Sequence, residues 1–246
     1  LDTSQLAFDA NSQGGIMGII ATAVSTEWTK AVIGVPGIDY ALLIPRSNNW
    51  QTYGPVIAGG YDRPVDGLLI LALLQQQWDR AEGSGYARYL TGTTLPGTPE
   101  HQVILQVALG DHQVTNVSAE IAARTAGVPV RVPSLDDAGS GRALPPFQME
   151  TVEAGDDATS LLVYWDAGTL PAPLGGVSPD MTEPWTAECE PGSARERTVA
   201  NAPCADPHEF PRRTPDAQRQ RNEFFETGVI PDVCGQDPCR TDPRNG

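Results

Sequence analysis

Three side chains that could act together in nucleophilic catalysis follow predicted strands of this chain. Ser12 lies in the turn after the first apolar segment, Asp111 follows the third strand, and His208 follows the fourth by way of an irregular segment. The loops at the carboxyl ends of parallel strands meet at one edge of a sheet and gather reactive groups there. A hydroxyl, a carboxylate and an imidazole at that edge could together support attack on a carbonyl carbon.

The elements that must position these residues alternate between strands and helices. Strands are predicted over residues 5–10, 30–35, 102–109 and 160–166. Helices are predicted over residues 16–24, 68–78, 116–126 and 216–227. This alternation predicts an α/β fold, in which a mostly parallel sheet is covered by helices on both faces.

Composition and charge exclude several classes of protein. The 246 residues include 16 basic and 31 acidic side chains, and the formal net charge of −15 would repel phosphate backbones and anionic lipid surfaces. Nucleic acid is therefore not an expected partner. The longest apolar runs, near 16–23 and 68–74, are shorter than the roughly 20 residues of a transmembrane helix, so no membrane span is expected.

Four cysteines lie in the last quarter of the chain, in a region rich in proline and acidic residues: Cys189, Cys204, Cys234 and Cys239. An even number in such a region predicts two disulfides, formed in a secreted, periplasmic or cell-surface protein. Pairing of nearest neighbours, the first with the second and the third with the fourth, is favoured among the three possible connectivities. The alternative is a zinc site, but only Cys234 and Cys239 are close together and no histidine lies beside them. No metal or other cofactor is expected.

The first turn resembles the nucleophile elbow of the α/β-hydrolase superfamily, which places a serine between small residues where a strand meets a helix. Residues 10–14 read Ala-Asn-Ser-Gln-Gly, with alanine in place of the more common first glycine. The order serine, acid, histidine along the chain is also that of the superfamily. Residues 104–114 resemble its acid strand and loop, and 206–210 resemble its histidine loop. The resemblance covers about residues 1–230.

The resemblance implies a role for each reactive group. Ser12 would attack a substrate carbonyl, His208 would take the serine proton and return it to the leaving group, and Asp111 would orient the imidazole. The backbone N–H of Gln13 would donate to the oxyanion. The implied protein is a serine hydrolase that cleaves carboxylic esters, of small molecules or lipids, through an acyl-enzyme. Amidase or peptidase activity with the same three residues is left open.

Each candidate residue also has a structural interpretation. A serine in this turn can simply satisfy turn hydrogen bonds, Asp111 can cap a helix or order its loop, and His208 can be a surface histidine. His112 competes as the base, but it is adjacent to Asp111 and adjacent side chains seldom point at one another. His101 precedes a strand and is expected at the other end of the sheet. The corresponding alternative function is a catalytically silent, hydrolase-like subunit that serves a structural or binding role in an extracellular assembly.

The resemblance also predicts how the chain is organised. Residues 1–230 would form the C-terminal part of an α/β-hydrolase domain, with a cap or lid at about 39–99 and an irregular insertion at about 168–203. Residues 231–246 would form a disulfide-containing tail. The first strand would correspond to the fifth of the superfamily's eight strands. A second polypeptide, produced by proteolytic processing of one precursor, is therefore expected to supply the N-terminal half and the second oxyanion donor.

Overall fold

A computed structural model describes residues 5–134, 146–167 and 206–240 of the chain. Six strands within these ranges form one sheet: β1 (Phe8–Asn11), β2 (Lys30–Gly34), β3 (Gln102–Ala108), β4 (Val130–Val132), β5 (Thr151–Glu153) and β6 (Leu161–Trp165). Their order across the sheet is β1-β2-β3-β6-β4-β5, and neighbouring strands pair in parallel. The predicted α/β class with a parallel sheet is therefore confirmed.

In the described part of the chain, seven α-helices accompany the sheet: α1 (Gln13–Ala23), α2 (Tyr40–Leu43), α3 (Trp50–Ala58), α4 (Pro64–Trp78), α5 (Asn116–Ala126), α6 (Phe210–Arg213) and α7 (Pro215–Thr227). Four of these helices were predicted, although α1 and α4 begin three or four residues earlier than expected. Pro64 explains the early start of α4, because a proline fits the first helical turn without loss of a hydrogen bond.

Alternating residues of β3 are buried on opposite faces of the sheet. Val103 and Leu105 belong to the core that contains α1 and α5, while Ile104 belongs to the core that contains α7. This two-sided burial is the pattern of a central parallel strand. Gln106 is also buried, and its side-chain amide donates to the Ala217 carbonyl at 3.0 Å. That hydrogen bond fixes the beginning of α7, and with it the loop that carries His208.

Residues 39–99, here called the helical segment, contain α2, α3 and α4 and three short 3₁₀ helices. A buried carboxylate, Glu82, links the start of this segment to α4 and to the turn that follows Glu82. Glu82 accepts hydrogen bonds from the Asp39 and Ser84 backbone N–H groups and from the Gln75 side chain at 2.6 Å. The helical segment coincides with the predicted cap, whose role as a lid stays a prediction.

The predicted bridge between Cys234 and Cys239 is confirmed, whereas Cys189 and Cys204 and the predicted insertion at 168–203 lie outside the described residues. Buried Arg131 of β4 holds the bridged loop against the sheet. Its guanidinium donates to the Asp232 carboxylate at 3.0 Å and to several backbone carbonyls of the loop. Over the parts of the chain that the structure describes, no helix has the length and apolar character needed to cross a membrane.

Candidate active site

Ser12 occupies the turn between β1 and α1 in an unusual backbone conformation. Its φ and ψ are 63° and −127°. A positive φ is uncommon for a residue other than glycine and marks a position held under strain by its surroundings. The Ser12 N–H donates to the Gly34 carbonyl at 3.1 Å, and the Ile16 N–H donates to the Ser12 carbonyl at 2.9 Å. The Ser12 hydroxyl makes no capping hydrogen bond to α1 and is left for another partner.

Small residues around Ser12 let the strand and the helix approach each other. A Cβ atom built on Gly14 would lie 3.0 Å from the Cβ of Ala10, which explains why both positions flanking the serine by two residues are small. A Cβ atom on Gly15 would lie 2.2 Å from the Gly34 carbonyl oxygen. The close approach of α1 to β2 therefore requires glycine at position 15.

The structure brings Ser12, Asp111 and His208 together at the carboxyl ends of β1 and β3. His208 Nε2 lies 2.7 Å from Ser12 Oγ, and His208 Nδ1 lies 2.8 and 3.0 Å from the two carboxylate oxygens of Asp111. His208 and Asp111 are 1% and 3% exposed. With Nδ1 donating to the carboxylate, Nε2 is the nitrogen that can accept the serine proton. The arrangement has the geometry of an activated serine nucleophile.

The loop between β3 and α5 holds Asp111 by side-chain hydrogen bonds to the backbone. Asp111 Oδ1 accepts from the N–H groups of Gln113 and Val114 at 2.8 and 2.9 Å. Asn116 Oδ1 accepts from the Gly110 N–H at 2.8 Å and closes the loop from the other side. Asp111 thus orders its own loop, as the structural interpretation expected, and also faces His208.

A second buried carboxylate, Asp206, joins the acid loop to the histidine loop. It accepts from the backbone N–H groups of His112 and His208, both at 3.2 Å, and from the Gln113 side-chain amide at 2.9 Å. No role for Asp206 was predicted from the sequence. The signal was present, because an aspartate before Pro207 is a typical start of a short helix, here Pro207–Glu209.

Carboxylates around His208 favour its protonated form. Burial lowers the pKa of His208, but the hydrogen bond and charge of Asp111 and the charges of Asp206 and Glu209 outweigh burial and leave that pKa raised. Burial also raises the pKa of Asp111, and the hydrogen bond and charge of His208 oppose that increase. These carboxylates would therefore stabilise the imidazolium that forms when His208 takes the serine proton.

Gln13 is the first residue of α1, so its backbone N–H has no acceptor within the helix. It lies at the positive end of the helix dipole, next to the nucleophile. The Gln13 side-chain amide points to the helical segment, where it lies 3.1 Å from the Tyr40 hydroxyl. This position is compatible with the expected donor role of the Gln13 N–H, which stays a prediction.

A cavity of about 550 Å³ opens at Ser12, between the edge of the sheet and the helical segment. Apolar side chains dominate its wall: Ile16, Leu43, Ile44, Val56, Ile57, Leu71, Leu74, Trp78 and Val114. Its volume lies within the range of small-molecule sites, which extend from about 300 to 1,000 Å³. The cavity could hold an uncharged substrate with an apolar group beside the serine.

Of the three histidines, His208 is the one whose ring nitrogen lies against Ser12 Oγ. His112 is buried, and its backbone N–H donates to the Asp206 carboxylate. His101 lies directly before β3, at the end of that strand opposite to Asp111. Within the described ranges, no group of three or more histidine, cysteine, aspartate or glutamate side chains could hold a metal ion.

No protein-family model matches the chain, and neither a curated protein nor a solved structure does. The case for a function therefore depends on the geometry of Ser12, Asp111, His208 and the cavity beside them.

Proposed function

We propose that the protein is a serine hydrolase of the α/β-hydrolase type that cleaves carboxylic esters through an acyl-enzyme. One observation carries the proposal: a hydrogen-bonded path leads from Ser12 Oγ through the His208 imidazole to the buried Asp111 carboxylate, with distances of 2.7 and 2.8 Å. The positive φ of Ser12 at a strand-to-helix turn gives independent support, because such strain clusters at reactive positions.

In this mechanism, Ser12 Oγ attacks the ester carbonyl carbon while its proton passes to His208 Nε2. The Gln13 N–H donates to the resulting oxyanion. The bond to the alcohol oxygen then breaks, and His208 gives its proton to the departing alcohol. A water molecule, deprotonated by His208, next attacks the acyl-enzyme and releases the carboxylic acid and free Ser12. The apolar cavity favours an ester with an uncharged, apolar substituent.

We also propose that further strands pair with β1, supplied by a second polypeptide. β1 lies at one edge of the six-stranded sheet. Exposed strand edges are usually covered, and an oxyanion hole works best with two fixed donors. The proposed partner would add both strands and a donor. Secretion and proteolytic processing stay predictions.

A fluorophosphonate probe tests the enzymatic proposal, because it reacts with serine hydroxyls that a neighbouring base activates. We expect peptide mass spectrometry to find the label on Ser12, and Ser12→Ala to abolish both labelling and ester hydrolysis.

Ser47→Ala is the matched control for this experiment. Ser47 lines the same cavity but accepts hydrogen bonds from Asn49 and has no histidine partner. This variant should keep the label. Absence of labelling in the wild-type protein assembled with its proposed partner polypeptide would contradict the proposal and favour the catalytically silent subunit.

A further inference from the structure

A second apolar cavity, of about 690 Å³, lies between α3 and α4 in the helical segment. Ile57 of α3 and Leu71 of α4 line both this cavity and the one at Ser12. The two cavities are therefore adjacent and share these two side chains in their walls. Gly67, which also lines the second cavity, packs closely on this shared wall, since a Cβ atom there would lie only 3.2 Å from Ile57 Cγ2.

We infer that the second cavity binds the distal part of a long acyl chain whose carbonyl carbon lies at Ser12. The inference rests on the proposed esterase function and specifies its substrate class. A short acyl chain would fill only the Ser12 cavity, whereas a long one would pass Ile57 and Leu71 and continue between the two helices.

The distribution of polar groups along this path matches an ester of a fatty acid. Polar side chains of the first cavity include Ser12 itself, Gln13 next to it in the chain, and Gln113 of the Asp111 loop. The second cavity is lined mainly by apolar residues, and its charged side chains, Asp62 and Arg63, are consecutive in the turn before α4. An acyl chain has this polarity, with one polar end and a long apolar remainder.

Exposed apolar side chains on the same helices support an apolar occupant. Leu68 is 61% exposed although it lines the second cavity, and Val56 is 75% exposed although it lines the first. Water contact with such side chains is unfavourable, so an acyl chain that covers them gains free energy with each methylene group it buries. The sequence of α4 carries no charged residue between Asp66 and Asp79 that would oppose such contact.

Two neighbouring leucines of α4 give a matched test. Leu68 lines the second cavity, whereas Leu69 is similarly exposed, at 58%, and lines neither cavity. Leu68→Trp should fill the cavity, and Leu69→Trp places the same indole outside it. Both changes are at exposed helix positions, where tryptophan is tolerated, and circular dichroism would verify folding.

The measurement compares kcat/KM for p-nitrophenyl butyrate and p-nitrophenyl laurate below the concentration at which the laurate aggregates. The wild-type protein should prefer laurate, since each buried methylene contributes about fourfold. Leu68→Trp should lower kcat/KM for laurate by about tenfold or more, the equivalent of losing two such methylenes, and leave that for butyrate nearly unchanged. Leu69→Trp should leave both values unchanged. Ala58→Trp, on the other wall of the second cavity, should reproduce the Leu68→Trp result.

Three outcomes would overturn the inference. The wild-type protein could hydrolyse butyrate but not laurate, which leaves the esterase function intact and removes the long acyl chain. Leu68→Trp and Leu69→Trp could lose laurate activity equally, which would indicate that the outer face of α4 contacts a lipid aggregate or a second copy of the chain instead. Failure of every ester, together with no fluorophosphonate label on Ser12, would refute the proposed function itself.

Discussion

The parallel sheet and the helical segment differ in how far their apolar side chains are buried. The sheet buries Ile33, Leu105 and Trp165 almost completely, whereas the helical segment leaves Val56 and Leu68 largely exposed. A close-packed region can hold reactive atoms to within about 0.5 Å, which catalysis requires. An exposed apolar surface instead gains free energy when it covers an apolar ligand. Under the proposed function, the sheet would position the reactive residues and the helical segment would select the substrate.

Polar side chains divide in the same way. At the edge of the sheet, Asp111, Asp206 and His208 are buried and satisfied by one another and by backbone N–H groups. Buried polar groups that are fully hydrogen-bonded hold a unique geometry. Most of the helical segment beside Ser12 offers apolar surface instead. Changes at the sheet edge should therefore alter the rate for every ester, whereas changes in the helical segment should alter the rate for particular esters.

The largest expected effect comes from Asp111→Asn. An asparagine keeps the shape of the side chain, but it removes the carboxylate that accepts from His208 Nδ1 and stabilises the imidazolium. We expect kcat/KM for p-nitrophenyl butyrate to fall by about 10⁴-fold. His112→Ala, at the next position, should leave kcat/KM close to wild type because His208, and not His112, contacts the Ser12 hydroxyl.

A reversed order of these two variants would show that His112, and not the Asp111–His208 pair, drives the reaction. It would also mean that the residues at the carboxyl ends of β1 and β3 do not position the reactive groups as proposed. Circular dichroism of both proteins is the required control, since Asp111 also orders the loop through Gln113 and Val114.

The sequence predicted those parts of the sheet where the pattern is long or strongly apolar. β3 is the example: six of its seven residues are buried, and three of them, Val103, Ile104 and Val107, are β-branched, which is typical of a central strand. β4 and β5 have three residues each, too few for a pattern. β4 forms against β6 and the bridged loop, and β5 forms against β4. α2, with four residues, depends on Asp39, whose carboxylate caps it from a left-handed conformation.

The same distinction applies to the candidate site. Ser12, Asp111 and His208 could be predicted because strand ends meet at one edge of a parallel sheet. Asp206 and the second cavity could not be read in the same way. Asp206 accepts hydrogen bonds from His112 and Gln113, which are more than ninety residues away in the chain. The cavity exists only once α3 and α4 pack together.

An intermediate effect is expected from removal of the disulfide. The bridge closes a loop with a sequence separation of 5, and the Cys234→Ala/Cys239→Ala double variant should lose about 2 kcal/mol of unfolding free energy by loop-closure entropy. Urea denaturation measures that loss. Because Arg131 still holds the loop through Asp232 and backbone carbonyls, kcat/KM at 25 °C should stay near wild type. A large fall in kcat/KM of the folded variant would mean that the tail, too, positions the reactive residues.

The smallest expected effect concerns Asp206. The charged groups that act on His208 are Asp111, Asp206 and Glu209, and together they raise its pKa. His208 must be neutral to take the serine proton, so activity rises with pH as His208 loses its proton, and a raised pKa places that rise at higher pH. Asp206→Asn removes one of the three negative charges, and the acidic limb of the pH profile of kcat/KM should move to lower pH.

A second variant distinguishes the charge of Asp206 from its hydrogen bonds. Asparagine keeps one acceptor oxygen for the His112 and His208 N–H groups, but its amide meets the Gln113 amide donor, so the plateau of kcat/KM should fall by about tenfold. Gln113→Ala removes only that side-chain hydrogen bond and should leave the acidic limb where it is. If both variants move the limb equally, the shift comes from loop rearrangement and Asp206 is merely structural. If only Asp206→Asn moves it, the buried carboxylate acts on the base through its charge, as the packing of the sheet edge predicts.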